Sequence, residues 1–381
     1  MALSSEQLDR IRRDAAARIE DVVELTQRIC AVAAPTGDER KRAEFVASLW
    51  RERGYVPEID AVSNVYVRRG KKADKPVLML LAHIDTVFPA STPINIRREG
   101  DLLYGPGIGD NCASVAAMIT LLDILDSYGW ETDTDLLAVA NVGEEGLGNL
   151  LGARTAVLRY QDMLGAVLVV DGSLGCVVNA GVGSRRLKVT VTGPGGHSFG
   201  SFGTPSAIHG LGNIIAALAS MKVPADPKTT FNVGMIEGGT SVNTIAASAS
   251  ALIDLRSVDD RVLDQLVEQA QTTIMHQAGI GLQTSIEVLG NRPAGRRSEQ
   301  DPLVQMALNA VRWVGLEPRC VASSTDANIP ISLDIPAVCI GITRGIHAHT
   351  LDEHLHIAPI GAGLAQLVRL SLEASELAAH K

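Results

Sequence analysis

Cysteine is sparse and scattered. Its five occurrences (Cys30, Cys112, Cys176, Cys320, Cys339) include no C-x-x-C pair. That argues against a disulfide framework or a thiolate zinc site and predicts a reducing, cytoplasmic setting. Aromatic residues make up only 3%, too few to supply stacking platforms for bases. A basic excess is also missing. Lys+Arg 34 against Asp+Glu 43 leaves a net charge of −9, the wrong sign for a general nucleic-acid binder. Long apolar runs are absent as well: Val77–Ala82 and Ala166–Val170 fall well short of the roughly 20 residues that span a bilayer. The N-terminal stretch through Ile29 is charged throughout and has no apolar signal-peptide centre, so neither secretion nor membrane insertion is expected. What is present is globular: 46% hydrophobic and 20% charged over 381 residues, enough for two or three domains at roughly 150 residues each.

Leu8, Ile11, Ile19, Val22, Val23 and Ile29 recur at helical intervals, predicting an opening amphipathic helix over 5–30. Val77–His83, Leu136–Val142 and Gly165–Val170 read as strands buried on both faces, with a packed helix at Ala113–Leu125 between the first two. Strands alternating with helices imply a mostly parallel sheet. Polar residues fall directly after these strands: His83 and Asp85, Glu144 and Glu145, then Asp171. In open α/β sheets, ligands bind at those carboxyl ends.

The pattern changes near residue 184. Arg186–Thr192 alternates with period two, as a strand with one solvated face does. A helix at Pro205–Met221, strands at Thr230–Ile236 and Ile245–Arg256, a helix at Val258–Ala278 and a strand at Gln283–Val288 follow, before Gly290–Pro293 breaks the run. Buried-strand character returns at Ile335–Ile342. The expected architecture is an α/β fold, a mostly parallel mixed sheet flanked by helices, interrupted by a smaller α+β unit of βαββαβ order. Residues 1–183 and 296–381 would form the first domain and 184–295 the insertion.

Five segments offer ligand-type side chains: LAHIDT (His83, Asp85), GPGIGDN (Asp110), VGEEG (Glu144, Glu145), VVDGS (Asp171) and IHAHTLDEH (His347, His349, Asp352, Glu353). Imidazoles and carboxylates without thiolates suit zinc, cobalt or manganese in a co-catalytic pair. Such a pair needs a bridging carboxylate, terminal ligands and a base. Each segment alone is more often a capping or otherwise satisfied polar residue than a metal ligand.

Taken together, in this order and spacing, the segments resemble the two-zinc hydrolase family of aminoacylase, acetylornithine deacetylase, glutamate carboxypeptidase and peptidase T. The resemblance extends over nearly the whole chain, because GPGGHSF, GGTSVNTIA and IDLR resemble the family's lid segments. It implies a zinc exopeptidase-like catalytic domain with a ferredoxin-like lid, two divalent ions (zinc, or else cobalt or manganese), and a small peptide or acyl-amino-acid substrate. His83 and Asp171 would hold one ion, Glu145 and His349 the other, with Asp110 bridging. Glu144 would be the general base for the bridging water, and Asp85 would orient His83. His197 would stabilise the oxyanion, while Asn243 and Arg256 would grip polar groups of the substrate. The Asp110–Asn111 peptide would be cis. In many relatives the lid also pairs two subunits, so a homodimer is implied.

Departures from the family pattern refine the expectation. Asn111-Cys112-Ala113-Ser114 replaces the Met-Lys-Gly-Gly of deacetylase-like members, and Asp171 stands where deacylases and carboxypeptidases carry Glu. Both favour an aminopeptidase- or dipeptidase-like enzyme over an N-acyl-amino-acid deacylase or a glutamate-type carboxypeptidase. The spacing to Glu353 favours His349 over His347 as the ligand; His354 and His356 read as structural or solvated. Ser323–Ala327 resembles a cleft-lining stretch or equally a helix N-cap. Two rivals come from other classes. Gly196–Gly200 matches G-x-S-x-G, with Asp326 and His349 following in serine-hydrolase order. A metal-stabilised binding protein would need no Glu144. Gly105–Asp110 lacks the last glycine of a dinucleotide loop, and Pro106 stiffens it.

Overall fold

Every side chain of the strand Val77–His83 is buried, and the pleat sends alternate residues to opposite sides. Leu78, Leu80 and Ala82 join one apolar cluster, while Val77, Met79 and Leu81 join another. This two-sided burial explains why the segment reads as an unbroken apolar run. The computed structural model describes residues 3–72 and 76–380; residues 1, 2 and 381, at the ends of the expected catalytic segments, lie outside them. Val77–His83 pairs in parallel with Asp135–Asn141 on one side and Leu164–Val170 on the other. Both neighbours are buried along their full length. Ala337–Ile340 continues the sheet in parallel, whereas Val65–Arg69 and Cys176–Gly181 join it antiparallel. The central sheet is therefore mixed and mostly parallel.

The chain forms two compact units, Met1–Gly181 with Arg296–Lys381, and Val182–Gly295. In the first, the opening segment is two helices, Ser5–Ala17 and Ile19–Cys30, not one. Arg18 leaves helical geometry at φ −101° and ψ 13°, and the halves pack differently: the first lies on Ile360–Ala379, the second on Ala113–Ser127. The stretch Ile108–Ser127 is long and apolar enough to cross a membrane, but most of it is buried inside the unit. An all-round apolar helix is what a core position requires.

The second unit is a four-stranded antiparallel sheet in the order Thr229–Gly238, Ser248–Ser257, Gly183–Thr192, Gln283–Arg292. Helices Ala207–Ala219 and Asp260–Gln277 seal one face through Leu211, Ile214, Leu263 and Ile274 against Leu187, Val189 and Ile253. The βαββαβ order with this strand arrangement is ferredoxin-like. The last strand runs through Gly290 to Arg292, past the expected break. An irregularity between Val288 and Gly290 absorbs the glycine, and Pro293, which cannot donate to a ladder, follows the final residue.

Candidate active site

Three neighbouring parallel strands end on the same edge of the sheet, and the polar residues that follow them converge there. His83 closes the first strand, Asp171 follows the third, and Glu144 and Glu145 come just after the second. Asp110 arrives from an irregular segment before the helix Ala113–Ser127, where the Asp110–Asn111 peptide is cis. His83, Asp110 and Asp171 place one ligand atom each within 4.8 Å of one another, and so do Asp110, Glu145 and His349. Asp110 belongs to both groups. Its Oδ1 lies 3.1 Å from His83 Nε2, and its Oδ2 lies 3.3 Å from His349 Nε2. His349 Nε2 also meets Glu145 Oε1 at 2.9 Å. Two imidazoles and three carboxylates in this arrangement fit a pair of divalent cations.

Asp85 does more than face His83. Its fully buried carboxylate accepts the Glu144 and Glu145 amides at 3.0 and 2.9 Å and the Thr36 hydroxyl at 2.9 Å. The same side chain lies 3.4 Å from His83 Nδ1, so it fixes one ligand strand and the paired glutamates together. Glu353 is likewise a fastener. Its buried carboxylate accepts the amides of Gly107, Gly109 and Asp110 at 3.0, 2.9 and 3.0 Å. Gly107 is required where it stands, at φ +72°, because a Cβ there would lie 2.4 Å from Thr86 Cγ2. His349 itself sits at φ 68°, in the left-handed region, a conformation concentrated at functional sites when a bulky side chain adopts it.

The charges are crowded. Burial and the neighbouring Asp110 push Glu145 up to about 7, and burial and Asp110 likewise raise Asp171 well above the carboxylate range. Burial alone would lower His83, but its hydrogen bonds to Asp110 and Asp85 outweigh that and hold it well above the ordinary value. The bond to Asp110 lifts His349 to about 9. Burial opposes ionisation of Asp110, yet the bonds from His349 and His83 hold it below the usual range. Carboxylates this close stay ionised together only beside compensating positive charge, which here comes from protons or from metal ions.

Asp326, weighed above as a cleft residue or a cap, is buried and accepts a 2.7 Å hydrogen bond from Asn141 Nδ2. Burial and the nearby Glu144 raise it to about 7. His347 is absent from both donor groups and instead stacks edge-on with His354 at 5.6 Å. His354 in turn packs on Tyr104 and His356. No sequence spacing announces the Asn141–Asp326 contact or the three amides on Glu353.

In the second unit, His197 pairs with Thr244 across a two-stranded ladder. The amides of Phe199 and Gly200 donate to its Nδ1 at 3.3 and 3.2 Å. A neutral ring bonded this way carries its proton on Nε2. Asn243 Oδ1 accepts from the Ser241 hydroxyl at 2.9 Å, and Arg256 Nε donates to Asp254 at 2.6 Å, which anchors the guanidinium. Turns follow Ser198, with no helix before Ala207, so the strand–turn–helix context of a serine nucleophile is lacking. Asp326 and His349 are committed to Asn141 and to Glu145 with Asp110.

Residues 179–281 match a family model described as a peptidase dimerisation domain, and residues 64–173 match one described as peptidase family M28. The putative succinyl-diaminopimelate desuccinylase DapE of Mycobacterium tuberculosis is 27% identical over 92% of this chain and 97% of its own. A tripeptidase from Staphylococcus aureus has the same fold at a TM-score of 0.79 and 20% identity, covering 94% of this chain and 99% of its own. YXEP of Bacillus subtilis, described as a dinuclear metal-binding peptidase from the M20 family, aligns at a TM-score of 0.70 and 16% identity over 94% of this chain and 99% of its own. With two peptidase models falling in order along the sequence and a relative aligned almost end to end, the chain is similar over nearly its whole length to metal-dependent peptidases and amidohydrolases of this kind.

Proposed function

We propose that this chain is a two-metal hydrolase that cleaves an amide bond of a small peptide, in the manner of an aminopeptidase or dipeptidase. The observation that carries this reading is the pair of donor groups sharing Asp110, with Glu144 beside them on the peptide that Asp85 fastens. His83 and Asp171 would hold one ion, Glu145 and His349 the other, and Asp110 both. The donor chemistry suits zinc, with cobalt or manganese able to replace it. Bound divalent ions supply Lewis acidity at the scissile carbonyl and acidify water. Glu144 takes the proton from the attacking water and delivers it to the leaving amine. His197, with its proton on Nε2, donates to the developing oxyanion, and Arg256 with Asn243 orients polar groups of the substrate. The dimerisation-domain match supports a homodimer formed through the 184–295 unit. The desuccinylase relative favours a second reading on the same scaffold, removal of an N-acyl group from an amino acid.

Metal analysis tests the ligand set. His349→Ala is expected to lower the bound metal from two ions to one per chain, with His347→Ala retaining two. The reverse result would move the ligand to His347. Chelation should abolish amide cleavage and added zinc restore it; cleavage that survives chelation but not a fluorophosphonate would make Ser198 the nucleophile.

Proton release provides an independent check. Asp110 holds His349 protonated up to about pH 9 in the metal-free chain, and a ligand imidazole must be neutral. Loading at pH 7 therefore expels at least one proton, and apparent metal affinity rises with pH until about 9. Titration calorimetry in two buffers of different ionisation enthalpy measures the release. A value of zero would mean that Asp110 does not hold His349 protonated at pH 7.

A further inference from the structure

A cavity of about 210 Å³ opens directly from the donor groups, and it lies wholly within the catalytic unit. Asp110 and Asp171 form its inner wall, whereas neither Glu144 nor Glu145 lines it. The rest is small or apolar: Ala113, Ser114, Ile342, Thr343, Ile346 and Ala348. Among the described residues, no Lys, Arg or His side chain lines it. Its remaining acid, Glu353, is committed to the amides of Gly107, Gly109 and Asp110.

From this geometry we infer that the cavity receives the acyl side of the scissile amide and selects an uncharged group of modest size. The inference rests on the amide-hydrolase reading above and specifies its substrate class. The side follows from proton delivery. The leaving amine must approach Glu144, so a cavity bounded by Asp110 and Asp171 but not by Glu144 faces the other substituent of the carbonyl.

The size follows from the volume. At about 30 Å³ per water, 210 Å³ holds about seven waters, roughly the room a leucine-sized or methionine-sized group needs. The charge preference follows from the wall. A second carboxylate, as on a succinyl group, would leave water to meet Ile342, Ile346 and Ala348, with hydroxyls of Ser114, Ser173 and Thr343 but no Lys, Arg or His side chain to pair with, and a buried charge without its own counter-charge is strongly disfavoured. Likeness to a desuccinylase therefore does not extend to the acyl group accepted here.

The zinc-loaded full chain is assayed on alanyl, leucyl, aspartyl and lysyl dipeptides with a common second residue, and on the matching N-isovaleryl and N-succinyl amino acids. Neutral members are expected to exceed acidic and basic ones by at least about 100-fold in kcat/KM. Binding is measured separately by calorimetry with the acids themselves: isovalerate binds the zinc-loaded protein and succinate binds at least about tenfold more weakly. Equal or tighter binding of succinate, or faster cleavage of succinyl or aspartyl substrates, overturns the assignment. Because binding needs no turnover, it decides the cavity even if no amide is cleaved. An absence of all chelator-sensitive cleavage would instead refute the hydrolase reading.

A substitution at Gly345 narrows the same space. A Cβ added at Gly345 meets nothing within 4 Å. Gly345→Val should lower the ratio of leucyl to glycyl cleavage, and of isovalerate to acetate binding, by about tenfold. Unchanged ratios overturn the assignment.

Discussion

Glu144→Gln is expected to keep both metal ions and lose roughly 10²–10⁴-fold in kcat. Glu144 belongs to neither donor group, so its carboxylate is not needed for ligation. The amide has the same shape, and the Glu144 backbone N–H remains on Asp85. What disappears is a group able to accept a proton from water and return it to the leaving nitrogen. An interaction used only along the reaction path should lower kcat and kcat/KM together, with little change in substrate binding. The measurement is steady-state kinetics with metal content determined on the same sample. Turnover within a few-fold of the parent would remove Glu144 from the role of base, and loss of an ion would make it a ligand.

Asp110→Asn should be more damaging to the site as a whole. The carboxylate faces His83 at 3.1 Å and His349 at 3.3 Å through different oxygens, so a single substitution strikes both donor groups. Metal content is expected to fall to one ion or fewer. Turnover should drop by about 10³-fold, which corresponds to roughly 4 kcal/mol of lost transition-state stabilisation. A second readout requires neither metal nor substrate. With its bond to Asp110 gone, His349 in the metal-free chain should titrate well below about 9, closer to the ordinary value near 6.5. NMR titration of the ring follows this directly. Two retained ions, or an unmoved His349, would mean that Asp110 is not shared.

The buried strands were legible because a strand covered on both faces has an unbroken apolar sequence; Val77–His83 is the clearest case. The ligand-type residues stood out for a related reason, since a carboxylate or imidazole immediately after such a run has no core role to explain it. Fasteners were harder to see. Asp85 stands close to His83 in the sequence, but its hold on the Glu144 and Glu145 amides depends on two strand ends lying side by side. Glu353 served only to identify His349 by spacing, while in the structure it ties down a loop more than two hundred residues earlier. The 210 Å³ cavity left no trace at all, because its walls come from three distant segments of small residues. The break at Arg18 was hidden too: both halves of the opening segment are amphipathic, and only their different packing partners separate them.

Glu353 also bears on when the site can exist. The loop carrying Asp110 is held by a carboxylate that is synthesised after the whole inserted unit has emerged. A nascent chain ending before residue 353 can pair its early strands, yet the amides of Gly107, Gly109 and Asp110 have no acceptor from that side chain. Domains made early fold early, but the loop carrying this shared carboxylate draws three of its hydrogen bonds from a residue near the end of the chain. The contacts that hold the shared carboxylate are thus complete only once residue 353 has been made.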